Sequence, residues 1–347
     1  MHMQDALISP AVGGAMWAAA AGLIGYSSRK VAASLDDSRI PLMGVTGAFV
    51  FAAQMINFTI PATGSSGHLG GGILLAILLG PWAGFLVMAS ILTVQAMFFA
   101  DGGLLALGCN ILNLGFWTCL VCYPIFYKRL AGSSPSNSRL FWASMLAAVA
   151  SVQMGAFSVV LQTTLSGISS LPFAHFLAAM LPIHLAIGIV EGLVTAGVVT
   201  FVANAQPALL DASALRIAAP TVSAKSVIVA FLIAAALIGG TLSWFASSRP
   251  DGLEWSMAKT AGSEELDPAD HSLYATLSGI QQTTALLPDY GFKTHAEHEN
   301  SPSWPAIDAG TTVSGLVGGT VTLAIAAALG LALKRRFPLP PQGQTAA

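Results

Sequence analysis

The stretch FAHFLAAMLPIHLAIGIVEGLVTAGVVTFVA, residues 173–203, decides the fold: it is apolar from end to end and its single charged residue is Glu191. A helix of about 20 such residues crosses the ~30 Å hydrocarbon core of a bilayer, so this run reads as a membrane span. Seven further apolar runs lie at 11–26, 42–59, 82–100, 104–127, 140–161, 227–245 and 309–333. A shorter one, 70–79, is cut off by Gly80 and Pro81 and predicts a short or re-entrant helix. Nine passages result. The composition agrees, with 54% hydrophobic and only 9% charged residues and a mean hydropathy of +0.72, whereas a soluble domain has roughly 25% charged residues.

The basic residues orient these passages, because Lys and Arg are retained on the cytoplasmic side. With the N-terminus outside, eleven fall inside: Arg29, Lys30, Arg39, Lys128, Arg129, Arg139, Arg216, Lys225, Lys334, Arg335 and Arg336. Only Arg249, Lys259 and Lys293 fall outside. The expectation is a multi-pass protein of the cell inner membrane, surrounded by the lipid bilayer, with an odd number of crossings and a cytoplasmic C-terminus. The N-terminus and the polar loop 246–305 are extracytoplasmic. That loop holds nine acidic residues against three basic ones, and its Pro, Gly and Ser content breaks any apolar period. Pro207 and Pro220 mark a cytoplasmic linker at 206–224, between a seven-segment unit (1–205) and a two-span unit (225–335), with a cytoplasmic tail at 336–347. The fold class is therefore all-α: a polytopic membrane helical bundle.

Other features narrow the function. A formal net charge of -2 leaves no basic excess for nucleic acid. Cys109, Cys119 and Cys122 lie in or beside one apolar run and read as small buried hydrophobes. The first ten residues, MHMQDALISP, lack the basic start of a secretory leader, so the chain is expected to begin at Met1. Ala11, Ala15 and Ala19 recur every four residues, a small-residue face that either docks another helical subunit or packs internally. There is no G-x-x-x-x-G-K-[ST] phosphate loop, so ATP hydrolysis would fall to a separate subunit.

The candidate chemistry lies in two of the seven histidines. With His2 in second position, the terminal amine of Met1, the main-chain nitrogen of His2 and its imidazole can close two fused chelate rings. Three nitrogens in one plane suit Ni(II) or Cu(II), with Co(II) also possible. His68, in PATGSSGHLGGG (61–72), would supply a fourth nitrogen from a loop on the same outer side. Glycine and serine there let the backbone turn sharply.

Four blocks, MHMQDALISP (1–10), INFTIPATGSSGHLGGGILLAILLGPWAG (56–84), FFADGGLLALGCNILNLG (98–115) and HLAIGIVEGLVTAGVVTFV (184–202), resemble the NikM/CbiM family. Its members are metal-capture subunits of energy-coupling-factor nickel and cobalt transporters. RPDGLEWS (249–256) and LLPDYGF (286–292) resemble the small N component of the same systems, so the chain looks like an M–N fusion. The resemblance makes 1–205 a metal-capture domain and 225–335 an accessory domain. It implies Ni²⁺ as the transported substrate, with Co²⁺ the alternative. It also implies a transmembrane coupling subunit and ATPase subunits as partners, and Met1, His2 and His68 as the metal-holding residues. Met3 and Gln4 depart from the family's usual hydrophobic–acidic pair, leaving Asp5 as the nearest carboxylate, either orienting a ligand or capping the first helix.

Asn57 and Ser66 are candidates for orienting the ligands. Glu191, an ionisable group inside a span, is a rare and costly placement, for which pairing with His184 or a neighbouring helix is the plainest account. His295 and His298 in THAEHEN (294–300) belong to a solvated acidic loop or a weak outer metal collector. The N-terminal tail is expected to plug into the bundle. A membrane enzyme built on His184 and Glu191, and a structural scaffold, are the competing readings.

Overall fold

The computed structural model describes residues 1–34, 39–133, 135–210, 222–267, 272–293 and 304–336. Nine helical segments run through the described bundle: α1 (Pro10–Ala32), α2 (Arg39–Gln54), α3 (Gly72–Leu79), α4 (Pro81–Phe98), α5 (Leu107–Ala131), α6 (Asn137–Ser166), α7 (Phe173–Ala205), α8 (Ala224–Gly240) and, after two helices of the polar loop, α11 (Ala309–Arg336). Five of them, α4 to α7 and α11, are long and apolar enough to cross a membrane, and α8 is a shorter apolar helix. The all-α membrane bundle read from the sequence is the fold observed.

Local chemistry sets the ends. The Ser9 side chain accepts from the Val12 N–H with Pro10 in the first turn of α1, Ser136 caps α6 and Ser223 caps α8. Gly80, at φ 83°, and Pro81 break α3 from α4, as the Gly-Pro pair predicts. On α7, Leu185, Ile189 and Leu193 are exposed while His184, Gly188, Glu191 and Thr195 are buried. The exposed row is one a lipid would cover, and the polar groups face protein.

Two expected spans are shorter than their apolar runs. The run 42–59 leaves the helix after Gln54 and forms an antiparallel hairpin, β1 (Phe58–Ile60) with β2 (Ser65–Gly67). Pro61 and Gly64 favour the turn, which a helix would not tolerate. The run 227–245 ends α8 at Gly240 and finishes in a tight 3-10 turn, Leu242–Phe245.

Both late spans pack on the earlier bundle. An added Cβ at Gly44 of α2 would lie 2.9 Å from the Leu323 carbonyl of α11, and one at Gly239 of α8 would lie 3.1 Å from Gly315 of α11. Small residues permit this backbone approach in a bundle with no hydrophobic driving force of its own.

The polar segment after α8 is a folded cap. It contains α9 (Gly252–Ala261) and α10 (Ser272–Thr284), and a capping box between Asp251 and Glu254 starts α9. The cap is stitched down at the end of the bundle holding the N-terminus. Leu287 and Asp289 donate their N–H groups to the Phe98 and Phe99 carbonyls, and Tyr274 donates its hydroxyl to Ile8 O. His271 and the THAEHEN stretch with His295 and His298 lie outside the described residues, as do 211–221 of the expected linker and 337–347 of the tail.

Candidate metal centre

The N-terminal tail is inserted into the bundle. Met3 is fully buried and Met1 is 9% exposed. Met3 donates its N–H to Asn110 Oδ1 at 2.8 Å, and its carbonyl accepts from Gly103 N–H at 2.9 Å and Asn110 Nδ2 at 3.2 Å. Asp5 Oδ1 accepts from the Ala106 N–H at 3.0 Å. Asp5 therefore anchors the tail to the loop before α5, and the cap of α1 is Ser9 instead.

His68 reaches the tail from a loop that dives beside the middle of α7. Non-helical backbone inside a membrane bundle needs partners from protein, and two N–H groups and one carbonyl of this loop find them in side chains. Glu191 accepts from the N–H groups of Gly70 and Gly71 at 2.9 and 3.0 Å, and Gln54 Nε2 donates to the Gly70 carbonyl at 2.7 Å, itself held by Gln95 at 2.9 Å. Glu191 thus pairs with the loop rather than with His184, whose Nδ1 donates to Met180 O at 2.8 Å. Gly71 sits at φ 75°, and an added Cβ would lie 2.5 Å from Val50. Both constraints exclude a larger residue.

At the centre, the Met1 nitrogen lies 3.1 Å from His68 Nε2 and 2.7 Å from Asp251 Oδ2. His68 Nδ1 contacts its neighbour's carbonyl, Leu69 O, at 3.1 Å. A carbonyl only accepts, so Nδ1 carries the proton and Nε2 offers its lone pair to the Met1 nitrogen. Burial, then the charges of the Met1 ammonium and His2, holds the His68 pKa down to about 3, so the ring is neutral at neutral pH, with Nε2 bare. The His2 ring lies parallel to that of His68, with centroids 5.1 Å apart. Closing a six-membered chelate ring requires Nδ1 of His2, and that atom faces Asp101 Oδ1 at 3.1 Å. His2 Nε2 is buried without a hydrogen-bond partner.

Sequence reasoning missed the carboxylates. Burial alone would raise the Asp251 pKa, but the Met1 ammonium and then His68 bring it well below the usual carboxylate range. Asp251 also caps α9, accepting from the N–H groups of Leu253 and Glu254, so the polar cap contributes to the site directly. The signal lies in RPDGLEWS (249–256), whose resemblance marks the second unit and says nothing of a contact with the Met1 amine. Ser66 holds the cap, donating its hydroxyl to Arg249 O at 2.8 Å and its N–H to Pro250 O at 2.8 Å. The Asn57 carbonyl accepts from the Ser247 N–H at 2.7 Å.

His2 and His68 open onto a vestibule under the cap lined also by Asp5, Asp101, Asp251, Glu254, Glu264, Glu265 and Asp289, with no Lys or Arg in its wall among the described residues. Burial first, then Asp101 and Glu265, raises the Asp289 pKa. Like charges crowded in this way attract cations and repel anions. Among the described residues, no three His, Cys, Asp or Glu side chains cluster as a metal site.

Residues 2–209 match the family described as cobalt uptake substrate-specific transmembrane region, and 225–335 match the PDGLE domain. The chain belongs to the first family. A protein of Archaeoglobus fulgidus provisionally named as a fused nickel transport protein, NikMN, is 33% identical over 95% of this chain and 98% of its own length. A cobalt transport protein, CbiM, of Sorangium cellulosum is 34% identical over 49% of this chain and 76% of its own. A crystal structure of a truncated transition metal transporter is similar at 31% identity and a TM-score of 0.50, covering 58% of this chain and 98% of that one. The protein is thus an integral membrane component of nickel or cobalt transport, a metal transport protein rather than an enzyme, and the enzyme reading of His184 and Glu191 is set aside.

Proposed function

We propose that this chain captures Ni²⁺ at the extracytoplasmic face as the substrate-binding component of an ATP-driven energy-coupling-factor transporter. The observation that carries the proposal is the buried convergence of the Met1 amine and His68 Nε2 at 3.1 Å with the His2 ring alongside. Two cis donors each about 2 Å from a metal lie about 3 Å apart, so an ion replacing the bridging proton fits this pair. The donors are the Met1 amine, the His2 main-chain nitrogen, the His2 imidazole and His68. A set of four nitrogens favours a metal of tetragonal preference, which ranks Ni²⁺ ahead of Co²⁺.

The amine and the His2 peptide nitrogen must each lose a proton to ligate, so loading releases protons to the vestibule. Division into a capture unit (1–205), a cytoplasmic linker (206–224) and an accessory unit (225–335) belongs to the same proposal, as do an outside N-terminus, an inside C-terminus and a cytoplasmic tail. Helices α1 to α8 and α11 alternate so that Arg29, Lys30, Arg39, Lys128, Arg129, Lys225, Lys334 and Arg335 fall near helix ends away from the site, which supports that orientation. Ala11, Ala15 and Ala19 of α1 are exposed and are offered as the face that meets the transmembrane coupling subunit, with ATPase subunits behind it.

The test is twofold. The purified chain should bind one Ni²⁺ more tightly than Co²⁺, with both lost in His68→Ala. Nickel uptake into proteoliposomes should require ATP and the coupling and ATPase subunits. Equal binding by His68→Ala rejects the site, and uptake by the chain alone at the full rate rejects the energy-coupling scheme.

A further inference from the structure

The Asp101 carboxylate faces His2 Nδ1 through one oxygen, at 3.1 Å, and through the other accepts the Tyr290 hydroxyl at 2.6 Å. Tyr290 belongs to the cap, within the stretch LLPDYGF. Three elements far apart in sequence therefore form one chain of contacts: tail, the loop after α4, and cap.

The backbone is set for this purpose. Ala100, Asp289 and Tyr290 take left-handed conformations, at φ 57°, 50° and 59°, which non-glycine residues adopt only at a cost. Such residues persist where their surroundings over-determine them. Here the Tyr290 ring stacks on Phe99, with centroids 5.0 Å apart, and the Asp289 N–H is tied to Phe99 O. The ring is thereby fixed with its hydroxyl on Asp101.

We infer that Asp101 is the positioning residue for the His2 ligand, and that Tyr290 of the cap holds Asp101 in place, so that the fused accessory unit completes the capture site. This rests on the His2–His68 site proposed above. A half-turn of the imidazole about its Cβ–Cγ bond carries Nδ1 away from Asp101, free to close the six-membered chelate ring. It also swings Nε2, buried and unpartnered here, toward the same carboxylate. In that orientation Nε2–H donates to Asp101, the carboxylate–histidine–metal arrangement by which proteins fix a ligand's tautomer and plane. Asp101 serves both ring orientations, and Tyr290 supplies its remaining hydrogen bond.

The experiment uses the full chain with its native N-terminus, purified in detergent, with Ni²⁺ affinity measured by calorimetry for wild type, His68→Ala, Asp101→Asn, Tyr290→Phe and the double variant. Tyr290→Phe keeps the stacked ring and removes only the hydroxyl, so it reports even where Asp101→Asn folds poorly. Asp101→Asn is expected to weaken binding about 10- to 100-fold, the usual effect of losing a ligand's hydrogen-bonded partner, and Tyr290→Phe to weaken it less. The double variant should be no weaker than Asp101→Asn, because Tyr290 acts through Asp101. Additive losses would assign Tyr290 a packing role and overturn the chain of action. Wild-type affinity in Asp101→Asn and Tyr290→Phe, with binding lost in His68→Ala, would overturn the inference alone. Unchanged binding in His68→Ala would remove the site beneath it.

Discussion

Replacing Glu191 by Gln tests how the bundle presents His68. The carboxylate accepts two loop N–H groups, from Gly70 and Gly71, and hydrogen bonds to a charged group contribute about 1.5–3 kcal/mol each. Gln retains one acceptor oxygen but turns an amide NH₂ toward the other N–H. One charge-assisted bond is lost, the second becomes neutral, and a buried N–H is left without a partner, at a further 1–3 kcal/mol or so. Taking the low end of each range, the loop should lose about 3–4 kcal/mol of order in its His68-presenting form. At 1.4 kcal/mol per decade, nickel affinity falls about 10²- to 10³-fold if the whole cost is expressed in binding. Competition against a chelator in detergent measures this, and the visible spectrum at saturating nickel supplies the control. An unchanged band is expected, because the donor set is unchanged. A displaced band would mean that Glu191 itself ligates, and an affinity within about threefold of wild type would refute the positioning argument.

Three further outcomes follow from the same geometry. Adding one residue before Met1 should abolish nickel binding, since the amine is enclosed between His68 and Asp251 at 3.1 and 2.7 Å; retained stoichiometric binding by calorimetry would contradict the role of the amine. Binding should weaken as pH falls and release up to two protons per metal. His68 itself is held down to about 3, and calorimetry in buffers of different ionisation enthalpy counts the protons released. Gly71→Ala should lower the thermal midpoint, because φ 75° and a 2.5 Å approach to Val50 add a steric clash to the ~1–2 kcal/mol cost of a left-handed Ala. A midpoint equal to wild type would show that the loop relaxes.

Hydropathy made the all-α membrane bundle and its five long apolar helices legible, because a bilayer demands long apolar runs and tolerates charge only at their ends or against protein. The pairing of His2 with His68 was also legible: the chelating potential of a second-position histidine is local chemistry, and charge asymmetry assigned both residues to one face. The end of α2 at Gln54 was not legible from hydropathy: Pro61 and Gly64 mark the turn, but the hairpin at 58–67 is held by distant partners in the cap, where Ser66 binds Arg249 O and Pro250 O and Thr63 O accepts from Trp255 Nε1 at 3.0 Å. The same limit applied to Asp101, Asp251 and Glu191. Each acts across 99 residues or more of sequence, on His2, the Met1 amine and the Gly70–Gly71 backbone respectively. No period or spacing encodes such contacts. Only the packing of the tail, the dipping loop and the cap at one end of the bundle determines which carboxylate meets which nitrogen, because an ion pair or hydrogen bond exists only where tertiary structure brings donor and acceptor within about 3 Å.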